Sequence, residues 1–161
     1  MPVKVQLDPE TLRQAAGKTV IITGGANGIG AATATLYSRH GANVVIADLP
    51  VAHSAADALI ATLSHPDQSI FVPVDILDWV QMTNLFKLTK ERFGHIDIVV
   101  ANAAIMETAP ILDLDAVDEN GDLLESREAF KVIDVNIKGT LNSKLSGNMA
   151  HILLEPDQDQ T

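Results

Sequence analysis

The sequence predicts an α/β fold, a doubly wound parallel sheet with helices on both faces. Three observations carry this. Short apolar, β-branched runs alternate with longer stretches whose apolar residues recur at helical spacing. The first run, Lys18 to Thr23, passes through a glycine-rich turn, TGGANGIG, into the first of those helices. The third run, Ile70 to Val74, contains Pro73. Proline cannot donate to a ladder, so it belongs on an edge strand, and a 3-2-1-4 order puts the third strand at the edge.

Taken in order, residues 1–16 read as a polar N-terminal arm, residues 17–142 as the alternating domain, and residues 143–161 as a divergent polar tail. After the first strand, Ile29, Ala32 and Leu36 recur at helical spacing, and Gly41 closes that helix. Asn43 to Asp48 (NVVIAD) is the second strand. Ala56, Leu59, Ile60 and Leu63 mark the second helix, which ends near His65-Pro66. Asp78 is suited to cap the third helix, Trp79, Met82, Phe86 and Phe93 form its apolar stripe, and Gly94 stops it. Ile96 to Ala101 is the fourth strand. An acidic loop from about Glu107 to Leu124 leads to a last helix with Phe130, Ile133 and Ile137 on one face. No fifth strand is evident, so the sheet is expected to be truncated after the fourth strand and the following helix. The fourth strand then becomes an apolar edge without lysine or proline to protect it.

Composition narrows the function. The chain has 161 residues, enough for one domain with a core, and is 47% hydrophobic and 20% charged, a globular rather than a disordered balance. A formal net charge of -10 with no basic stripe argues against nucleic acid as a partner. The absence of cysteine excludes disulfides and thiolate metal sites. His40, His53, His65, His95 and His151 show no metal-ligand spacing, so no metal is expected. The opening MPVKVQLDPETLRQ lacks an apolar signal region, and no apolar run approaches the roughly 18 residues of a membrane span. A cytoplasmic protein with no membrane partner is the expectation.

The glycine turn carries the chemistry. Gly24 allows the tight turn, Gly28 lets the backbone approach a pyrophosphate, and Gly30 permits close helix–sheet packing. The helix start, with Asn27 and Ile29 beside these glycines, offers unpaired N–H groups and a positive dipole end to phosphates. The spacing TGxxxGIG resembles the cofactor loop of the short-chain dehydrogenases/reductases, and further motifs follow in that family's order. Asp75, with Ile76, in VPVDI resembles the aspartate that hydrogen-bonds the adenine. Asn102, Ala103 and Ala104 in VVANAAI resemble the NNAG element, with departures at Ala101 and Ile105. Asn136 in VIDVNIKGT resembles the asparagine of the catalytic tetrad, and Lys138 follows it. The resemblance covers roughly residues 15 to 141 and is nearest to fungal members related to hydroxyprostaglandin dehydrogenases. It implies a Rossmann-type fold, a nicotinamide cofactor, hydride transfer between a small-molecule alcohol and a ketone, and a homo-oligomer for the complete form.

Asp48 ends the second strand, where a carboxylate can accept hydrogen bonds from the adenosine ribose and repel the extra phosphate of NADP. NAD is therefore the expected cofactor, with NADP disfavoured. Each of these residues also has a plainer reading. Asp48 could be a turn aspartate before Leu49-Pro50, Asp75 a helix cap, Asn102 a turn residue, Asn136 a solvent-facing asparagine, and Lys138 a surface lysine.

The resemblance breaks at the reacting groups. The family's mechanism implies a tyrosine that carries the proton, a lysine four residues later, and a serine that steadies the oxygen. The single tyrosine is Tyr37, and the residue four positions on is Gly41. Ser143 and Ser146 have no tyrosine after them. Of the tetrad only Asn136 is matched. Two readings follow: the nucleotide-binding half of an oxidoreductase, as from a shortened gene product and inactive alone, or a non-catalytic dinucleotide-binding module. A Rossmann-like methyltransferase fits less well, because Thr23 stands where its glycine loop would carry an acidic residue. Ser143 to Thr161 matches nothing recognisable, although His151 to Leu154 could serve as a substitute strand.

Overall fold

Four β-branched runs become four parallel strands in the computed structural model, which describes residues 9–111 and 113–145. The run His151–Leu154 and the first eight residues lie outside the described residues. The elements are α1 (Pro9–Arg13), β1 (Thr19–Thr23), α2 (Gly28–Arg39), β2 (Asn43–Asp48), α3 (His53–Thr62), β3 (Ser69–Pro73), α4 (Trp79–Phe93), β4 (Ile98–Ala101) and α5 (Arg127–Ile133). The backbone leaves α5 directly into a π-helical turn, Asp134–Gly139. The sheet order is β3-β2-β1-β4, all parallel.

Side chains alternate across this sheet, so each strand feeds two cores. Val20, Ile22, Val44 and Ile46 pack with Ala34 and Ala56 under α2 and α3. Ile21, Val45 and Val72 pack with Met82, Leu85 and Phe86 of α4 on the other face. Every residue of β1 is buried, as expected of a strand covered on both faces. Pro73 lies on the edge strand, and Val74 resumes the ladder by donating its N–H to the Asp48 carbonyl at 2.8 Å.

Local signals behave as their chemistry requires. The Asp78 carboxylate accepts the Val80 and Gln81 N–H groups at 2.9 and 3.0 Å and caps α4. Gly94 ends that helix in a left-handed conformation.

The apolar stripes of α2 and the last helix are placed differently from the sequence pattern, and that of α4 departs from it only at Trp79. On α2, Ile29 is 80% exposed and Ala32 is exposed, while Gly30, Ala34 and Ser38 are buried. The helix lies so close to the sheet that only small side chains fit beneath its centre, so Ile29 turns outward and Leu36 and Tyr37 stay half-buried at the flank. On α4 the buried line is Met82, Leu85, Phe86 and Thr89, and Trp79 in the first turn is 40% exposed. On α5 Phe130 and Ile133 are exposed, as is Ile137 on the π-helical turn that follows, with Phe130 at 53%. The polar arm also differs: residues 9–13 form α1, and Ala15 joins the core.

At the other end of the sheet, Asp97 pins β4 to β1. Its carboxylate accepts the Thr19 N–H at 2.8 Å and the Lys18 ammonium at 2.9 Å, and His95 Nε2 lies 3.2 Å away. Desolvation pushes this carboxyl up, but the Lys18 and Thr19 hydrogen bonds and the charges of Lys18 and His95 outweigh it and hold it below the usual aspartate range. A carboxyl lowered in the folded state contributes stability above its unfolded value, and loses it as pH falls through the folded value. Asp97→Asn should therefore flatten the acid limb of the stability profile. It should also cost about 1 kcal/mol near neutrality, a value reduced for solvent screening at this partly open site. Denaturant melts of both chains from pH 7 down to pH 3 measure this.

Candidate functional site

The C-terminal ends of β1, β2 and β4 meet where strand order reverses, between β1 and β4. In open parallel sheets that reversal leaves a crevice beyond the strand ends. The glycine turn lies there, tied to the strands on both sides.

On the β4 side, Thr23 and Asn102 form a reciprocal latch. The buried Thr23 hydroxyl accepts the N–H groups of Asn102 and Ala103 at 3.1 and 3.2 Å. The Asn102 amide donates to the carbonyls of Thr23 and Gly24 at 3.0 and 3.1 Å. Asn102 thus spends its side chain on the loop. Thr23 was absent from the candidates drawn from sequence. The signal was present in the T of TGxxxGIG, because a buried hydroxyl beside a strand end needs backbone partners.

The glycines divide their tasks. Gly24 and Gly28 have φ of +64° and +54°, a region costly for other residues. A Cβ on Gly24 would lie 2.8 Å from Ala103 Cα. One on Gly30 would collide with the Gly24 carbonyl and lie 2.8 Å from Asn102 Nδ2. A Cβ on Gly28 would meet nothing within 4 Å, so its backbone faces open space. Asn27 has the extended backbone of an N-cap yet makes no side-chain cap, and the first turn of α2 holds no acidic residue. The leading N–H groups of α2 therefore have no intrahelical acceptor by geometry. A helix start of this kind beside an open glycine fits an anionic diphosphate.

Asp48 stands on the β2 side. Its Oδ2 accepts the Ala26 N–H at 3.0 Å and its Oδ1 the Leu49 N–H at 2.8 Å. Asp75 is half-buried after β3, and its Oδ1 accepts the Leu77 N–H at 2.9 Å. The Ile76 side chain turns inward, where a Cβ on Gly139 would strike it, and the Ile76 carbonyl accepts the Asn142 amide at 2.8 Å. Ala103 is half-buried against the α4-side core, and Ala104 is exposed.

Asn136 lies on the π-helical turn. Its side chain grips Ile105 at both ends, accepting the N–H and donating to the carbonyl, each at 2.9 Å. The solvent-facing alternative is thereby corrected: the amide ties the turn to the segment after β4. Ile105 enters only through its backbone, so its side-chain identity carried no sign of this role. Lys138 is exposed on the same turn. Glu128 at the start of α5 accepts both the N–H and the hydroxyl of Thr108, and these bonds hold its carboxyl below the usual range. Tyr37 is half-buried against the α2-side core, and the buried Ser143 hydroxyl donates to the Gly139 carbonyl. Neither is paired as the family's serine or tyrosine would be. Among the described residues, no three His, Asp or Glu side chains group as metal ligands, and no helix is long and apolar enough to cross a membrane.

Known proteins resemble this chain in sequence and in fold. The family model described as short chain dehydrogenase matches residues 18–149. Short-chain dehydrogenase/reductase prx4 of Penicillium roqueforti is 36% identical over 137 residues, covering 85% of this chain and 37% of the relative. Galactitol 2-dehydrogenase of Agrobacterium fabrum is 38% identical over 124 residues, covering 77% of this chain and 43% of the relative. The crystal structure of a short-chain dehydrogenase/reductase from Brucella melitensis, described as SDR:Glucose/ribitol dehydrogenase, superimposes with a TM-score of 0.70 at 27% identity. It covers 84% of this chain and 52% of that one. The chain thus spans less than half the length of these curated relatives. With its glycine turn, strand order and matched span in agreement, the chain belongs to the short-chain dehydrogenase family.

Proposed function

We propose that this chain binds a nicotinamide dinucleotide, NAD in preference to NADP, as the nucleotide-binding half of an alcohol/ketone oxidoreductase. The open Gly28 backbone beside the uncapped start of α2 carries this reading, since it is a ready diphosphate cradle. The N–H groups around Asn27, Gly28, Ile29 and Gly30 would hold the phosphates. Asp48 would accept the ribose hydroxyls, and its charge disfavours a second phosphate there. Asp75 and the Ile76 backbone would flank the adenine. Gly24, Asn102, Ala103 and Ala104 would form the wall toward β4, with Asn136 bracing that wall through Ile105. Lys138 joins the site on the family resemblance alone. When bound, the cofactor would accept or deliver a hydride. The relative named galactitol 2-dehydrogenase favours an alcohol as the small-molecule substrate. A homo-oligomer is part of the proposal, supported by the exposed apolar face of α5, and so is a cytoplasmic setting.

A second reading, a dinucleotide-binding module without catalysis, draws on Tyr37, the single tyrosine, being committed to the core. Titration of the chain with NAD and NADP by calorimetry tests the shared claim. NAD should bind at least about tenfold more tightly, a difference of about 1.4 kcal/mol. Equal affinity for the two would overturn the assignment of Asp48.

A further inference from the structure

We infer that Asp48, beyond the selector role proposed above, is a positioning residue for the glycine turn, setting its shape before any nucleotide arrives. The selector role rests on that proposed function; the positioning role stands on geometry alone. Ala26 sits in the middle of the turn and is only 4% exposed, so its N–H is shut off from water. The Asp48 Oδ2 accepts that N–H at 3.0 Å across a sequence gap of 22 residues. Beside it, the Gly25 N–H reaches the Ala47 carbonyl at 3.4 Å. Asp48 is itself fixed: its Oδ1 accepts the Leu49 N–H, and its carbonyl accepts the Val74 N–H from the end of β3. The turn is therefore moored to β2 through Asp48 and to β4 through Asn102, and the open Gly28 lies beyond both moorings.

An ionised carboxylate offers about four acceptor positions. Two are taken by Ala26 and Leu49, which leaves about one on each oxygen for a ribose diol. Removing the carboxylate would cost both functions together. Alanine leaves the buried Ala26 N–H without an acceptor. Asparagine keeps one carbonyl oxygen that can accept it, while removing the charge, and the Leu49 N–H at an exposed position can turn to water.

Amide hydrogen exchange of the ligand-free chain, read at Ala26 in the parent, Asp48→Ala and Asp48→Asn, separates these effects. The Asp48→Ala chain should exchange Ala26 at least about tenfold faster than the parent, and the Asp48→Asn chain within about threefold of it. Calorimetric titration should show Asp48→Ala weakening NAD and NADP alike, by about tenfold or more, while Asp48→Asn narrows the gap between them. Unchanged Ala26 exchange in Asp48→Ala, or equal acceleration in both variants, would overturn the mooring. So would loss of NAD affinity with NADP affinity intact in Asp48→Ala. If the parent binds neither nucleotide, the proposed function fails while the exchange comparison still decides the mooring.

Discussion

Gly30→Ala is expected to cost about 3 kcal/mol of stability, to lower the unfolding midpoint by roughly 10 °C, and to abolish dinucleotide binding. The added methyl would collide with the Gly24 carbonyl and crowd Asn102 Nδ2. That carbonyl already accepts the Asn102 amide at 3.1 Å, so it cannot retreat without breaking the latch to β4. Moving α2 away instead would open the core over Ala34, which is fully buried. Gly28→Ala gives the contrast. Its methyl meets no atom, and its cost is that of holding an alanine at a φ of +54°, about 1 to 2 kcal/mol. Binding should fall in both variants, with the larger stability loss in Gly30→Ala. Differential scanning calorimetry with NAD titration measures the pair. Equal stability of Gly30→Ala and the parent would mean that α2 does not press against the Gly24 carbonyl.

Purified 161-residue chain is expected to show no turnover of secondary alcohols with NAD, followed by absorbance of the reduced cofactor. Proton transfer in this family's chemistry needs a tyrosine whose ordinary pKa of about 10 is brought down by a neighbouring cation. Tyr37 is the sole tyrosine, lies on α2 against the core, and is followed four positions later by Gly41. Asn136, which only resembles the asparagine of that family's tetrad, has its side chain engaged with the backbone of Ile105. Turnover above a no-protein control that disappears on Asn136→Ala would contradict this account.

What could be read from sequence was whatever the backbone itself demands. Pro73 forced an edge, and its strand is the edge. Asp78 and Gly94 bracket α4 because a cap and a stop are local matters. The glycine turn stood out because few residues tolerate its dihedral angles. The packing of α2 was misread for a related reason. Apolar periodicity locates large side chains, whereas this helix approaches the sheet on Gly30, Ala34 and Ser38. Partnerships across the chain were less legible still. That Asn102 serves Thr23, that Asn136 serves Ile105, and that Asp48 holds Ala26 all depend on which strand ends meet in space. Residue type suggested a polar role at each position, but only the fold supplies the partner.

The most direct test of the central claim is amide chemical-shift mapping of the chain on addition of NAD. Shifts should be confined to Gly24–Gly30, Asp48–Leu49, Asp75–Ile76 and Asn102–Ala104, at the C-terminal ends of β1, β2, β3 and β4, and to Asn136–Lys138 on the turn beside them. Shifts clustered elsewhere, for example around Lys18, Tyr37 and Asp97 at the opposite end of the sheet, or no shifts at saturating NAD, would contradict it.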